Sequence, residues 1–237
     1  MRVLALDTTS RAGSVAIIDG DRVIAEIAGD PAHSHAERLP GDLTQALDAN
    51  GWRAAEVDAF AVVAGPGSFT GLRIGIATVQ GLAFVLGKPI VGVSALEALA
   101  QAAAAAAQPG ALVGAWVDAH RHEVFSALYR VADAPAFSPE RLVELEAPSV
   151  GAPAATIDRW RQRGEGLPVL TGDGTATYRS LLESVPVLDI RSLAGAAGRM
   201  AAVRATRGEA VAPSDVHPIY VRRPDAEVAR ERARAAR

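Results

Sequence analysis

The chain of 237 residues contains no cysteine. That absence removes thiol nucleophiles, disulfides and Cys-ligated zinc or iron–sulfur sites together. Lysine is almost as scarce. Lys88 stands alone and is followed by Pro89, so no Gly-x-x-x-x-Gly-Lys-[Ser/Thr] phosphate loop can be written. The 24 basic residues are therefore nearly all arginine, and with formal net charge −3 and a pI near 6.0 they give no general pull on a polyanion. One long stretch lacks charge, residues 98–117. Gln101, Gln108 and Pro109-Gly110 interrupt it, so it reads as helix, turn and strand rather than a membrane span. The opening Met1-Arg2-Val3-Leu4-Ala5-Leu6-Asp7 reaches a carboxylate too early for the apolar run of a signal peptide. A cytoplasmic globular protein is expected, with 49% hydrophobic and 22% charged residues.

What is present reads as alternating strands and helices. Residues 3–6, 14–18 and 23–28 form strand-like runs, with Asp19-Gly20-Asp21 as a hairpin turn. Ser34 and Glu37 have capping-box spacing and open a helix that carries Leu39, Leu43, Ala46 and Leu47 to Asn50-Gly51. A strand at 59–64, a helix to Leu86, a strand at 90–93 and an Ala-rich helix from Ser94 to about Gln108 follow. The order then restarts. Strands are predicted at 112–118, 123–130 and 169–171, with a short edge strand near 142–145 in a Pro-rich, irregular stretch. Helices are predicted at 155–162, 178–183 and 192–206. This divides the chain into lobes at 1–108 and 109–224, the last helix packing back onto the first lobe, and leaves 225–237 as a frayed, charged tail.

Candidate chemistry is sparse. Gly65-Pro66-Gly67-Ser68-Phe69-Thr70-Gly71 joins a strand to a helix, yet its spacing is one residue too long for a dinucleotide fingerprint, and Pro66 lacks an amide donor. His33/His35 and His120/His122 are i, i+2 pairs with no third ligand at recognisable spacing, which argues for loop histidines and no metal. Ser94 follows a strand as a hydrolase nucleophile would, but Gly92-Val93-Ser94-Ala95-Leu96 lacks the second glycine of the elbow, and capping with Glu97 accounts for it.

Five segments carry a resemblance: Leu6-Asp7-Thr8-Thr9-Ser10 followed by Ser14-Val15-Ala16; Gly65 to Gly75; Gly92-Val93-Ser94-Ala95-Leu96-Glu97-Ala98-Leu99; Asp118-Ala119-His120-Arg121-His122-Glu123-Val124; and Pro218-Ile219-Tyr220-Val221-Arg222. In that order they resemble the TsaB family. The resemblance implies a two-lobed α/β fold of the actin-like ATPase, ribonuclease-H-like type. It implies a non-catalytic subunit that partners a TsaD-like catalytic subunit and a TsaE-like ATPase in forming threonylcarbamoyladenosine at position 37 of tRNAs reading ANN codons. ATP and metal are then expected on the partners, none on this chain, with tRNA reached through the complex and a homodimer when the chain is alone. Asp7, Thr8, Thr9 and Ser14 occupy the place of a first phosphate turn, expected here as a relic in which Asp7 caps local amides. The rival within the fold is a small-molecule kinase or ATPase, for which Asp118-Ala119-His120-Arg121 lacks a Gly-rich second phosphate turn.

The helix from Thr70 to Leu86 holds one charge, Arg73, and is apolar or small nearly all round. Leu72, Ile76, Val79 and Ala83 suit the lobe's own sheet. Gly71, Gly75 and Thr78 make a second, small-residue stripe. With Arg73, Ile74, and Leu39 and Leu43 of the preceding helix, they are the expected partner interface.

Overall fold

The computed structural model describes residues 1–222, so the tail expected at 225–237 lies outside the described residues. The first lobe is a five-stranded sheet: β1 (Arg2–Asp7), β2 (Ser14–Asp19), β3 (Arg22–Ala28), β4 (Ala59–Gly65) and β5 (Ile90–Ser94). Its order is β3-β2-β1-β4-β5, antiparallel in the hairpin and parallel from β1 to β5. The second lobe repeats the plan with β6 (Leu112–Asp118), β7 (Val124–Val131), β8 (Leu142–Gly151), β9 (Val169–Thr171) and β10 (Val187–Leu188), in the order β10-β9-β6-β7-β8. Two copies of one mixed sheet in one chain make the two-lobed actin-like arrangement expected from the sequence.

Among the described residues six α-helices cover the sheets: α1 (His35–Ala49), α2 (Phe69–Leu86), α3 (Ala95–Ala104), α4 (Pro153–Gln162), α5 (Gly174–Thr177) and α6 (Ala194–Thr206). Local chemistry sets their starts. Ser34 and Glu37 form the capping box of α1, Ser68 Oγ accepts from the Gly71 amide in α2, and Ser94 Oγ accepts from the Glu97 amide in α3. Several boundaries differ from the sequence reading, among them the end of α3, expected near Gln108 and found at Ala104. The helix expected at 178–183 is one short turn at α5 plus a 3₁₀ turn at Arg179–Leu181. The edge strand expected near 142–145 is β8, ten residues long. Its outer position tolerates Pro148, and a register shift at Ser126/Leu128 disrupts the alternation that would have marked it.

Strand alternation divides the first sheet cleanly. Leu4, Leu6, Val15, Ile17, Phe60 and Val62 face α1 and α2, where Leu39, Leu43, Leu47, Ile76 and Val79 meet them. Val3, Ala5, Ala16, Ile18, Ala61 and Val63 face the other way, into a core shared with α3, α6 and β6. The lobes are therefore joined by one continuous apolar core. Helix α6 makes that possible because its inner face is small: Ala194, Gly195, Ala197, Gly198, Ala201 and Ala202 are buried, and the helix lies directly on β1, β2 and β4. Helix α2 has the length and composition to cross a membrane. Here it rests on the sheet with Leu72, Ile76, Val79 and Ala83 in the core.

A methyl group at Gly198 would collide with Ile18 Cδ1 and stand 3.0 Å from Ala5 Cβ. Ala favours a helix over Gly by about 1 kcal/mol, while overpacking a core costs about 1–3 kcal/mol. Gly198→Ala is therefore expected to lower stability by up to about 2 kcal/mol in urea denaturation. Ile18→Val in the same chain is expected to recover part of that loss, since it removes the colliding carbon. Simple additivity of the two changes would contradict the packing described.

Candidate functional site: the cleft between the lobes

The β1–β2 turn, the α2 N-terminus, the β6–β7 hairpin and the β9–α5 turn converge between the lobes. Asp7 is buried at the end of β1. Its Oδ1 accepts from the Thr9 amide at 2.8 Å and from Thr9 Oγ1 at 2.6 Å, so the carboxylate caps its own turn, as expected. Burial pushes the Asp7 carboxyl above its usual range, while the bonds from Thr9 and the charge of Arg38 oppose that rise. Across the cleft Asp173 Oδ1 accepts from the Asp118 amide at 2.9 Å. Burial raises the Asp173 carboxyl too, and the charges of Asp118 and Asp7 add to the rise against the hydrogen bonds it accepts. Among the described residues no group of three His, Asp or Glu side chains could hold a metal.

Ser14, the fourth candidate of the turn, has a structural duty. Its Oγ accepts from the amides of Leu193 at 3.1 Å and Ala194 at 3.0 Å, and Glu26 Oε1 accepts from the Gly195 amide at 2.8 Å. Two side chains of the first lobe thus satisfy the free amides at the start of α6. Glu26 escaped the sequence reading because nothing near it in the chain marks it; its partner amide lies 169 residues away. The space left among Asp7, Thr9, Ser10, Leu99, Val117, Asp173 and Leu193 is about 60 Å³. Beside it the cleft opens into a groove of about 750 Å³ along Thr9, Ser10, His33, His35, Gly71 and Asp118. His35 is not the exposed loop histidine expected. It begins α1, half-buried, with Nε2 at 3.0 Å from the Ser10 carbonyl, and burial lowers its pKa.

The expected partner interface is only partly at the surface. Gly71 and Gly75 face inward. A side chain on Gly71 would overlap the Thr8 carbonyl, and one on Gly75 would overlap Thr8 Oγ1. The small-residue stripe serves the close approach of α2 to the β1–β2 turn, and Thr8 is fully buried beneath it. Leu39 and Leu43 are buried in the sheet core. Arg73 turns toward the ring of Phe69, 4.1 Å away, and its Nε donates to Tyr220 Oη at 3.3 Å. Ile74 and Thr78 stay partly exposed. They border a different stripe, Ala77, Gly81, Phe84 and Val85, of which Phe84 and Val85 are 80% and 81% exposed.

Comparison with known proteins agrees with this geometry. The family model described as TsaD, tRNA N6-adenosine threonylcarbamoyltransferase, matches residues 23–181. The tRNA threonylcarbamoyladenosine biosynthesis protein TsaB of Escherichia coli is 40% identical over 131 residues, 55% of each chain. The match thus spans about half the length of that relative. The Bacillus subtilis protein of the same name is 29% identical over 233 residues, 96% of each chain. The structure of YeaZ from Pseudomonas aeruginosa superposes with a TM-score of 0.74 at 30% identity, covering 92% of this chain and 99% of that one. With its repeated sheets, its carboxylate-capped first turn and these matches along nearly all its length, the chain belongs to the TsaB family.

Proposed function

We propose that this chain is a structural and activating subunit in the formation of N6-threonylcarbamoyladenosine at position 37 of tRNAs reading ANN codons, in the bacterial cytoplasm. It acts by binding a TsaD-like catalytic subunit, with a TsaE-like ATPase as a further member, and it does no chemistry itself. The observation that carries this reading is a contrast between cleft and surface. The space closed in at Asp7 is about 60 Å³, and the α6 amides beside it already bond Ser14 and Glu26. The unsatisfied surface lies instead on α2, where Phe84 and Val85 stand exposed. A shared core through α3 and α6 also resists the lobe closure that an ATPase of this fold would use. In this reading the ATP and metal of the reaction belong to the partner subunits. Mass spectrometry of digested tRNA from cells depleted of the protein is expected to show a large fall in threonylcarbamoyladenosine. Unchanged levels, in cells with no second copy of the gene, would overturn the assignment.

The partner face consists of Ile74, Ala77, Thr78, Gly81, Phe84 and Val85, and the same face serves a homodimer when no partner is present. Ala77 is exposed, so Ala77→Glu is expected to leave the melting transition within about 0.5 kcal/mol of wild type. Burying that carboxylate in a complex costs several kcal/mol, enough to weaken association by about a hundredfold or more. Analytical ultracentrifugation with the catalytic subunit reads the effect. Normal association of a folded Ala77→Glu chain would move the interface elsewhere.

The phosphate turn gives a pH test. Asp7 has a raised carboxyl pKa in the folded chain, so the stability it contributes is full below the unfolded carboxylate pKa and is lost as pH rises through the folded one. Asn at this position keeps an acceptor for both Thr9 bonds without the charge. Asp7→Asn is therefore expected to melt higher than wild type at pH 7, with the gap closing toward pH ~4. A variant that melts lower at pH 7 would mean the charge itself is used, as a cation-binding kinase would require.

A further inference from the structure

The interlobe groove has a second chamber, of about 450 Å³, that the reading above does not use. Ser68, Phe69, Leu72, Phe125, Tyr220 and Arg222 are among its walls. Phe69 and Tyr220 stack there with ring centroids 5.7 Å apart and planes 27° apart, and they remain 45% and 39% exposed. The Arg73 guanidinium lies over the Phe69 ring and is steadied by Tyr220 Oη. Arg73 stands against Phe69 and Tyr220 just outside the walls, whereas Arg222 is a wall residue that donates to the Ala119 carbonyl at 3.0 Å and pairs with Glu123. Arg73 differs from it: among the described residues no carboxylate pairs with Arg73.

A guanidinium seated over a ring with no carboxylate partner has N–H donors left for a further acceptor, and its planar fork suits phosphate. Two stacked, half-exposed rings beside it offer a surface for a further planar group. The chamber is of the size that encloses a small organic molecule, and its walls at Leu72, Phe125, Ile219 and Val221 are apolar, which an inorganic anion would not need. An acidic side chain from a partner protein would satisfy Arg73 but leave the aromatic chamber unfilled. We propose that this chamber binds one nucleotide unit, its base stacked on the Tyr220–Phe69 pair and its phosphate held by Arg73. The unit comes from single-stranded RNA or from a free nucleotide, and both present the same chemistry. The inference rests on the chamber, not on the proposed role in an assembly, and the site is separate from the closed space at Asp7.

The test is fluorescence anisotropy of the whole chain, at low salt and without magnesium, with a labelled single-stranded RNA of about eight nucleotides. AMP and a duplex of the same sequence serve as competitors. Wild type is expected to bind the single strand, with AMP competing and the duplex not. Tyr220→Ala is expected to weaken binding about tenfold. Arg73→Gln should weaken it and lower the slope of log affinity against log salt by about 0.7, one phosphate contact on a single strand. Arg22→Gln, an exposed arginine at the start of β3 and not among the chamber's walls, should change nothing, and melting curves should show all three variants folded. Direct binding of AMP, measured by calorimetry, without binding of RNA would assign the chamber to free nucleotides. Absence of both, equal affinity in wild type and the two chamber variants, or equal competition by the duplex would overturn the proposal. So would an Arg73→Gln chain that binds RNA normally but loses the catalytic subunit.

Discussion

The structure depends on how closely α6 lies on the first sheet. That helix comes from the second half of the chain, yet its buried alanines and glycines sit directly on β1, β2 and β4. With α3 it makes the two sheets share a single core. Small residues allow the close approach, and the approach fixes the lobes against each other. Ser14 and Glu26 then hold the helix start, so the first lobe's own side chains occupy amides that would otherwise face the cleft. The start of β2 is thereby part of the joint between the lobes.

This joint accounts for the character of the cleft. Asp7 is a buried carboxylate and Asp173 one that is exposed at the cleft, and both have raised pKa values and accept from backbone amides that brace turns. Surface chemistry points outward instead. The exposed side of α2 is apolar along its length, and at its N-terminal end Arg73, Phe69 and Tyr220 form a cationic, aromatic ledge.

Much of this was legible in the sequence, for identifiable reasons. Capping boxes at Ser34 and Ser94 and the hairpin at Asp19-Gly20 are local signals, and the elements began where those residues placed them. The restart of strand order after Pro109-Gly110 gave the second lobe, and the return of the last helix to the first lobe followed from it. Illegible were contacts set by distance. Periodicity showed two apolar faces on α2 but not which one meets the chain's own turn, so Gly71 and Gly75 were assigned to a partner when Thr8 lies against them. The same limit hid Glu26, whose partner is remote, and β8, whose alternation is broken by a register shift. Tyr220 stands in one of the segments that carry the resemblance, yet only the fold brings that ring to Phe69.

The central claim is that this chain works through a surface and not through its cleft. Complementation of depleted cells, read as threonylcarbamoyladenosine in total tRNA, tests it most directly. Supplying the Asp7→Asn chain is expected to restore the modified nucleoside to the wild-type level, while the Ala77→Glu chain, expressed and folded, is expected to leave it depleted. The reverse pattern, failure of Asp7→Asn and full rescue by Ala77→Glu, would contradict the account and return the function to the cleft.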